Sequence, residues 1–329
     1  MDKIALLGGK TLPRVGLGCM GMSEFYGDND HKHNLDVLNR SVELGYRHFD
    51  TADMYGQGAN ERLIGEFLSN QSRKDLFIAS KFGIRRGPGG GLSRVIDGSA
   101  AYVKEALYRS LERLGTGYID LYYVHRRDPN TPIEETIGAM VELKKEGLIG
   151  GIGLSEVSVD TYQTAHNVHP IAAIQTEYSL LSKEPENGML QACKENGTAF
   201  VGYSPMSRGL LTGQLNASTV SQNGDARQFL PRFSGENLDA NLTLVEALTE
   251  LAKDKSCSLA QLALAWVLAQ EEFIHIIPGT RREKYLLDNF NSLNVELTAA
   301  ELLWLRAHFD EGKVAGSRYP EAAMAGIEN

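Results

Sequence analysis

The sequence predicts an α/β fold, a (β/α)8 TIM barrel, and three observations predict it. Short β-branched runs alternate with amphipathic helical stretches almost from end to end. Eight such pairs fit into 329 residues, a length that suits two ordinary domains or one large barrel. No linker, repeat or low-complexity block divides the chain, so residues 1–329 read as a single domain. A doubly wound sheet has the same alternation and is the structural competitor.

Taken in order, an N-terminal β-hairpin is expected before the first barrel strand, "RVGLG" (14–18). The next strands are "YRHFD" (46–50), "LFIASK" (76–81), "YIDLYYVH" (118–125) and "IGGIGLS" (149–155). "AAIQ" (172–175), "TAFVGYS" (198–204) and "FIHIIPG" (273–279) complete the eight. Helices are predicted near 33–44, 60–69, 99–113, 132–147, 158–167, 185–196, 240–254, 258–270 and 281–292, with an extra C-terminal helix and tail. Helix 99–113 carries Ala101, Val103, Ala106, Leu107, Ser110, Leu111 and Leu114 on one stripe, with charges opposite. Before helix 132–147, Thr131 is placed to cap and Pro132 suits the first helical position. "RRGPGGGLSRVIDG" (85–98) and the stretch 205–238 read as long loops.

Apolar residues make up 42% and charged residues 23%, an ordinary globular composition. The net charge of −9 argues against a nucleic-acid surface, which needs an excess of Lys and Arg. No apolar run reaches the roughly 18 residues of a membrane span, and "MDKIALLGGKTLP" is no signal peptide. Cys19, Cys193 and Cys257 have neither disulfide nor zinc spacing, so reduced, cytoplasmic residence and no metal are expected.

Two motifs are discounted. "GLGCMG" (16–21) fits the dinucleotide pattern G-x-G-x-x-G, but "MSEFYGDND" follows it where a helix should open. "DNDHKH" (28–33) offers an acid and two histidines, yet it directly precedes a helix and reads as its cap.

In a barrel, the C-terminal ends of the strands build the active site. Strand two ends at Asp50, strand three at Lys81 and strand four at His125, with Tyr55 on the loop after strand two. Each has an ordinary structural reading alone, and their shared rim is what favours chemistry. A tyrosine with a pKa near 10 donates a proton poorly unless its phenolate is stabilised. Lys81 is expected to lower it by two to three units, roughly 3–4 kcal/mol at about 1.36 per unit, with Asp50 holding the lysine charged. Such a group protonates an oxygen on which charge develops, as in carbonyl reduction.

The sequence resembles the aldo-keto reductases: "GYRHFDTADMYG" with "NERLIG" matches that family's first signature. Asp50, Tyr55, Lys81 in "IASKFG" and His125 in "YYVHRRDP" fall on matching positions, and the resemblance covers nearly the whole chain. It implies Tyr55 as general acid, Lys81 and Asp50 tuning it, and His125 orienting the carbonyl. "HRRDP…PIEETIGAM", "IGLSE" and "GSRYPEAAM" resemble the branch with pyridoxal reductases and plant-type reductases of small aldehydes.

The resemblance further implies a nicotinamide dinucleotide bound without a Rossmann fold. The loops after strands seven and eight, the usual phosphate sites of a barrel, support this separately. "SPMSRGLLTG" (204–213), with Ser204, Pro205, Met206, Ser207, Arg208 and Leu210, offers a pyrophosphate the backbone N–H groups of its non-proline residues, a serine and Arg208. "PGTRREKY" (278–285) sets Gly279 and Thr280 before a helix N-terminus, where anions are favoured, beside Arg281 and Arg282. By resemblance this second site takes the 2′-phosphate, so NADPH is preferred over NADH. Ser155, Glu156 and Gln175 match carboxamide positions, Tyr203 the residue under the nicotinamide, and Asn289 the adenine contact. Glu156 stands where many relatives carry asparagine, and a carboxylate only accepts. Gly18 and Met20 line the rim. The substrate pocket is expected from Met22, Phe25, Tyr26, Met54, Phe82 and Arg126, with the tail 314–329 over it.

The expected activity is NADPH-dependent reduction of a small-molecule aldehyde or ketone, pyridoxal being one candidate. A cofactor-binding regulatory subunit with little turnover is the alternative, against which the intact four-residue set argues. A metal-dependent hydrolase is disfavoured because only His125 sits at a strand end.

Overall fold

The computed structural model describes residues 3–27, 29–86, 94–220, 224–324 and 326–328. Eight parallel strands lie side by side in chain order. They are β1 (Leu17–Gly18), β2 (His48–Asp50), β3 (Phe77–Phe82) and β4 (Ile119–Val124), then β5 (Ile149–Ser155), β6 (Ala173–Glu177), β7 (Ala199–Tyr203) and β8 (Ile274–Ile276). Parallel bridges from Val15 to Ile276 and from Gly18 to Gly279 bring the first and last strands together and close the barrel. Closure explains Gly18, since a Cβ there would stand 2.7 Å from the Ile277 carbonyl oxygen. The register sets Gly18 opposite Asp50, Lys81 opposite Tyr123 and Ser155 opposite Gln175, so the strand ends named above share one rim.

Alternation along each strand sorts the core into two layers. Phe77, Ala79, Leu121, Tyr123, Ala173, Ala199 and Val201 fill the barrel interior together with Leu7 and Leu12. Those two leucines come from the N-terminal hairpin, Ile4–Leu7 paired with Lys10–Pro13, which plugs the opposite end. Ile78, Phe82, Tyr122, Val124, Ile174 and Phe200 point outward into the larger layer under the helices. Gly153 belongs to the inner layer because a Cβ there would lie 2.4 Å from the Tyr123 ring.

Most expected helices are present, and several boundaries differ. Helix 185–196 begins at Met189, behind a 3-10 turn at Glu184–Glu186 that contains Pro185. The stretch 240–254 is two helices, Gly235–Glu246 and Leu248–Asp254, and the extra C-terminal helix is Ala299–His308. The stretch 85–98 is not all loop: Ile84–Arg86 pairs antiparallel with Arg94–Ile96, while 87–93 lie outside the described residues. Loop 205–238 is broken by short turns and the helix Ala217–Val220, with 221–223 outside the described residues. Thr131 caps nothing: its hydroxyl donates to Asp128 at 2.8 Å, and Pro132 is the cap residue. Asp30 does cap, accepting from the His33 N–H at 3.0 Å, whereas Asp28 lies outside the described residues. Only a 3-10 turn, Met20–Met22, opens on 16–21, and the first α-helix starts at His31. Among the described residues no helix is long and apolar enough to cross a membrane.

Candidate active site

The structure brings Asp50, Tyr55, Lys81 and His125 together, all buried. After β2 the chain runs beside β3, its Thr51 N–H bonded to the Ala79 carbonyl at 2.9 Å and its Asp53 N–H to that of Lys81 at 3.0 Å. Tyr55 opens the 3-10 turn Tyr55–Gly58, which carries its ring back over Lys81, 5.3 Å from Nζ to the ring centroid. Lys81 shares the inward parity of Phe77 and Ala79, donates to Asp50 Oδ1, and donates to the Thr51 carbonyl at 2.8 Å. Gln175 donates to Asp50 Oδ2 at 2.8 Å. The rings of Tyr55 and His125 meet edge to face, centroids 5.8 Å apart.

The electrostatics correct one expectation. Burial raises the Tyr55 phenol above its ordinary value, and the charge and hydrogen bond of Lys81 offset this only in part. Lowering by two to three units therefore does not hold, because the water-poor site penalises the phenolate more than one ammonium favours it. Lys81 is raised: burial alone would lower it, but Asp50 and then Tyr55 outweigh burial, so the ammonium persists. Burial raises Asp50, against the pull of Lys81 and Gln175.

Ser155 and Tyr203 end β5 and β7, Glu156 follows Ser155, and Gln175, two residues before the end of β6 and not its last residue as expected, lies opposite Ser155. Arg126 reaches the Ser155 hydroxyl at 3.4 Å. Glu156 adopts φ 54° and its carboxylate is already matched, by the Glu177 N–H at 2.9 Å and by two donors of Arg318. Past β7, Ser204, Ser207 and Arg208 are all left-handed, a strained run of the kind kept at functional sites. The free serine and arginine expected there are engaged elsewhere. Ser207 bonds the Ser179 hydroxyl at 2.7 Å, and Arg208 donates to Glu177 at 3.3 Å and to the Tyr319 hydroxyl at 2.6 Å. Leu210 and Pro205 are buried, leaving Ser204 and Met206 half-exposed.

At the eighth strand the donor set fits a dinucleotide. Helix Glu283–Asn291 has no side-chain cap, and the Thr280 hydroxyl just before it accepts from the Arg282 N–H at 3.0 Å, so the helix start is left to an outside anion. Asn289 is buried and its Nδ2 has no hydrogen-bond partner among the described residues, as an amide awaiting an acceptor would be. Arg282 is exposed, 5.8 Å from the Tyr285 ring, and Arg281 donates to the Tyr26 carbonyl at 2.5 Å and to Asn29 at 3.2 Å.

The expected substrate pocket divides. Met54 packs with Ala52, Tyr55 and Ile84, with Met20 against them. Phe25 and Tyr26 are half-exposed near Arg86 and Arg227. Phe82 is not in the pocket: one residue beyond inward Lys81, it faces outward and stacks on Tyr122, centroids 5.0 Å apart. Met22 is likewise in the outer core, beneath the rim.

The C-terminal segment contributes residues that the sequence reading left unassigned. Asn241 fixes Ala315, Arg318 pairs with Glu156, and Tyr319 bonds the Tyr203 hydroxyl at 3.1 Å. Glu328 closes the segment on the Ser158 N–H at 3.0 Å and on Arg127 at 3.2 Å. The motif "GSRYPEAAM" was the only local signal for Arg318 and Tyr319.

The chain resembles known proteins over most of its length. The sequence profile of the Aldo/keto reductase family matches residues 14–308. The chain is 42% identical over 325 residues to "Aldo-keto reductase yakc [NADP(+)]" of Schizosaccharomyces pombe, covering 98% of this chain and 95% of that one. It is 41% identical over 312 residues to "Probable aldo-keto reductase 1" of Glycine max, covering 94% and 89%. Among solved structures, the glycerol dehydrogenase AKR11B4 from Gluconobacter oxydans superposes with a TM-score of 0.85 at 25% identity, covering 93% and 94% of the two chains.

Proposed function

The chain belongs to the aldo/keto reductase family, and we propose that it reduces an aldehyde or ketone to the alcohol with NADPH, Tyr55 supplying the proton. The observation that carries this reading is the buried Asp50–Lys81 pair directly beneath the Tyr55 ring, with His125 at its edge. A phenol held protonated by burial is an acid available to an oxygen as charge develops on it, and the Lys81 ammonium then stabilises the phenolate left behind. His125 borders the same space and orients the carbonyl oxygen toward Tyr55.

When bound, the dinucleotide supplies the hydride, in keeping with the NADP(+) in the name of the Schizosaccharomyces pombe relative. Its nicotinamide end is assigned to Ser155, Glu156, Gln175 and Tyr203, since a hydride must start within reach of a carbonyl that touches Tyr55. Its adenine end is assigned to Asn289 and its 2′-phosphate to the uncapped helix start with Arg281 and Arg282. Met54, Phe25, Tyr26 and the cation Arg126 suit an aromatic carbonyl, and the resemblance of "GSRYPEAAM" to the pyridoxal-reductase branch makes pyridoxal the candidate within that class. Three free cysteines suit the reading of a reducing, cytoplasmic compartment.

The test follows nicotinamide absorbance when the purified protein receives NADPH with aromatic aldehydes or pyridoxal. Tyr55→Phe is expected to lower turnover by about 100-fold or more while NADPH binding stays nearly intact. Equal activity in that variant sinks the mechanism, and tight NADPH binding with no carbonyl reduced favours the regulatory alternative.

A further inference from the structure

The carboxylate of Glu156 is 1% exposed, and Arg318, 162 residues away in sequence, meets it with Nη1 and Nη2 at 3.1 Å each. Arg318 Nε also lies 3.4 Å from Glu184. The pair is two hydrogen bonds from the reacting groups: the Glu156 N–H donates to the Gln175 carbonyl at 3.1 Å, and the Gln175 amide donates to Asp50. The residue after Arg318 is Tyr319, bonded to Tyr203 and Arg208. One short stretch of the C-terminal segment thus touches Tyr203 at the end of β7, Glu156 just past β5 and Arg208 on the loop after β7.

We propose that Arg318 is a positioning residue that cancels the charge of Glu156 beside the nicotinamide ring and holds the C-terminal segment against Tyr203. This rests on the assignment of Glu156 and Tyr203 to the nicotinamide end. The oxidised ring carries a positive charge and the reduced ring carries none. A bare carboxylate in a water-poor site binds the oxidised form preferentially, because Coulomb attraction is screened little there. The guanidinium is always charged, and its two-point fork fixes the carboxylate as well as neutralising it. Glutamate is thereby tolerated at this position, and the reduced form needed for carbonyl reduction is not disfavoured.

Isothermal titration of the full chain with NADPH and with NADP+ tests this through the ratio of the two dissociation constants, reduced over oxidised. Arg318→Ala leaves Glu156 only the weaker influence of Arg126 and is expected to raise that ratio about threefold or more. Glu156→Gln, which leaves the guanidinium with Glu184 as its acidic partner, is expected to lower it by about threefold. The double variant is expected to return to within about threefold of the wild-type ratio, even where both constants rise together because the segment loosens. An Arg318→Ala variant that weakens both cofactors equally overturns the charge balance. Should that variant not fold, an unchanged ratio in Glu156→Gln overturns it instead. Wild-type protein that binds neither cofactor rejects the underlying assignment.

Discussion

The amide of Gln175 donates to Asp50 Oδ2 at 2.8 Å while Lys81 holds Oδ1, so both oxygens of a fully buried carboxylate are matched. Gln175→Leu removes one of these donors and leaves a buried charged oxygen unpaired. The expected cost is about 1–3 kcal/mol, read as a lower urea midpoint, together with slower turnover as the lysine loses a fixed partner. An unchanged midpoint would show that the Gln175 donor contributes nothing.

The raised Tyr55 phenol sets the pH dependence of carbonyl reduction. Below its pKa the phenol holds the proton it must deliver, and above it the proton is lost. The single-turnover rate should be flat through neutral pH and decline only above about pH 10. A half-maximal point near neutrality would remove Tyr55 from the role of acid. Lys81→Met takes away the charge that stabilises the phenolate and should slow the same step by about 100-fold or more.

His48 and His275 are buried in the barrel, and the ring nitrogens of His48 have no hydrogen-bond partner among the described residues. Burial pushes both imidazoles down to about 3, with the Lys81 charge acting further on His48 and each histidine near the other. The unfolded chain takes up protons near pH 6.5 and the native state does not. Their stability contribution is therefore complete above about pH 6.5 and falls by roughly 1.4 kcal/mol per pH unit for each histidine as pH drops toward 3. His48→Gln should flatten the slope of unfolding free energy between about pH 4 and 6. Equal slopes in the variant and the wild type would mean that His48 protonates readily in the folded protein.

Arg281 and Arg282 stand beside the same uncapped helix but differ in surroundings. Arg281 is bonded to Tyr26 and Asn29, whereas Arg282 is exposed over Tyr285. Arg282→Ala should raise the Michaelis constant for NADPH about tenfold and hardly change that for NADH. Arg281→Ala should weaken both, because it also loosens the loop at Tyr26. A ratio unchanged in both variants would place the 2′-phosphate elsewhere.

The barrel and the four residues gathered on its rim were legible in the sequence. A strand end is a local property: an apolar run stops at Asp50, one residue past Lys81 or just before His125, and barrel geometry gathers such ends on one rim. The tertiary structure decided what faces what. Alternation turns Phe82 outward one residue past inward Lys81, so adjacency in sequence placed it wrongly in the pocket. Burial, not the lysine, fixes the direction of the Tyr55 shift, because that balance depends on every atom that excludes water from the ring. Arg318 and Glu156 were both in view as letters, and nothing local joins residues 162 apart. Their pairing exists only because the barrel closes and the C-terminal segment folds back over it, and periodicity carries no record of which distant segments meet.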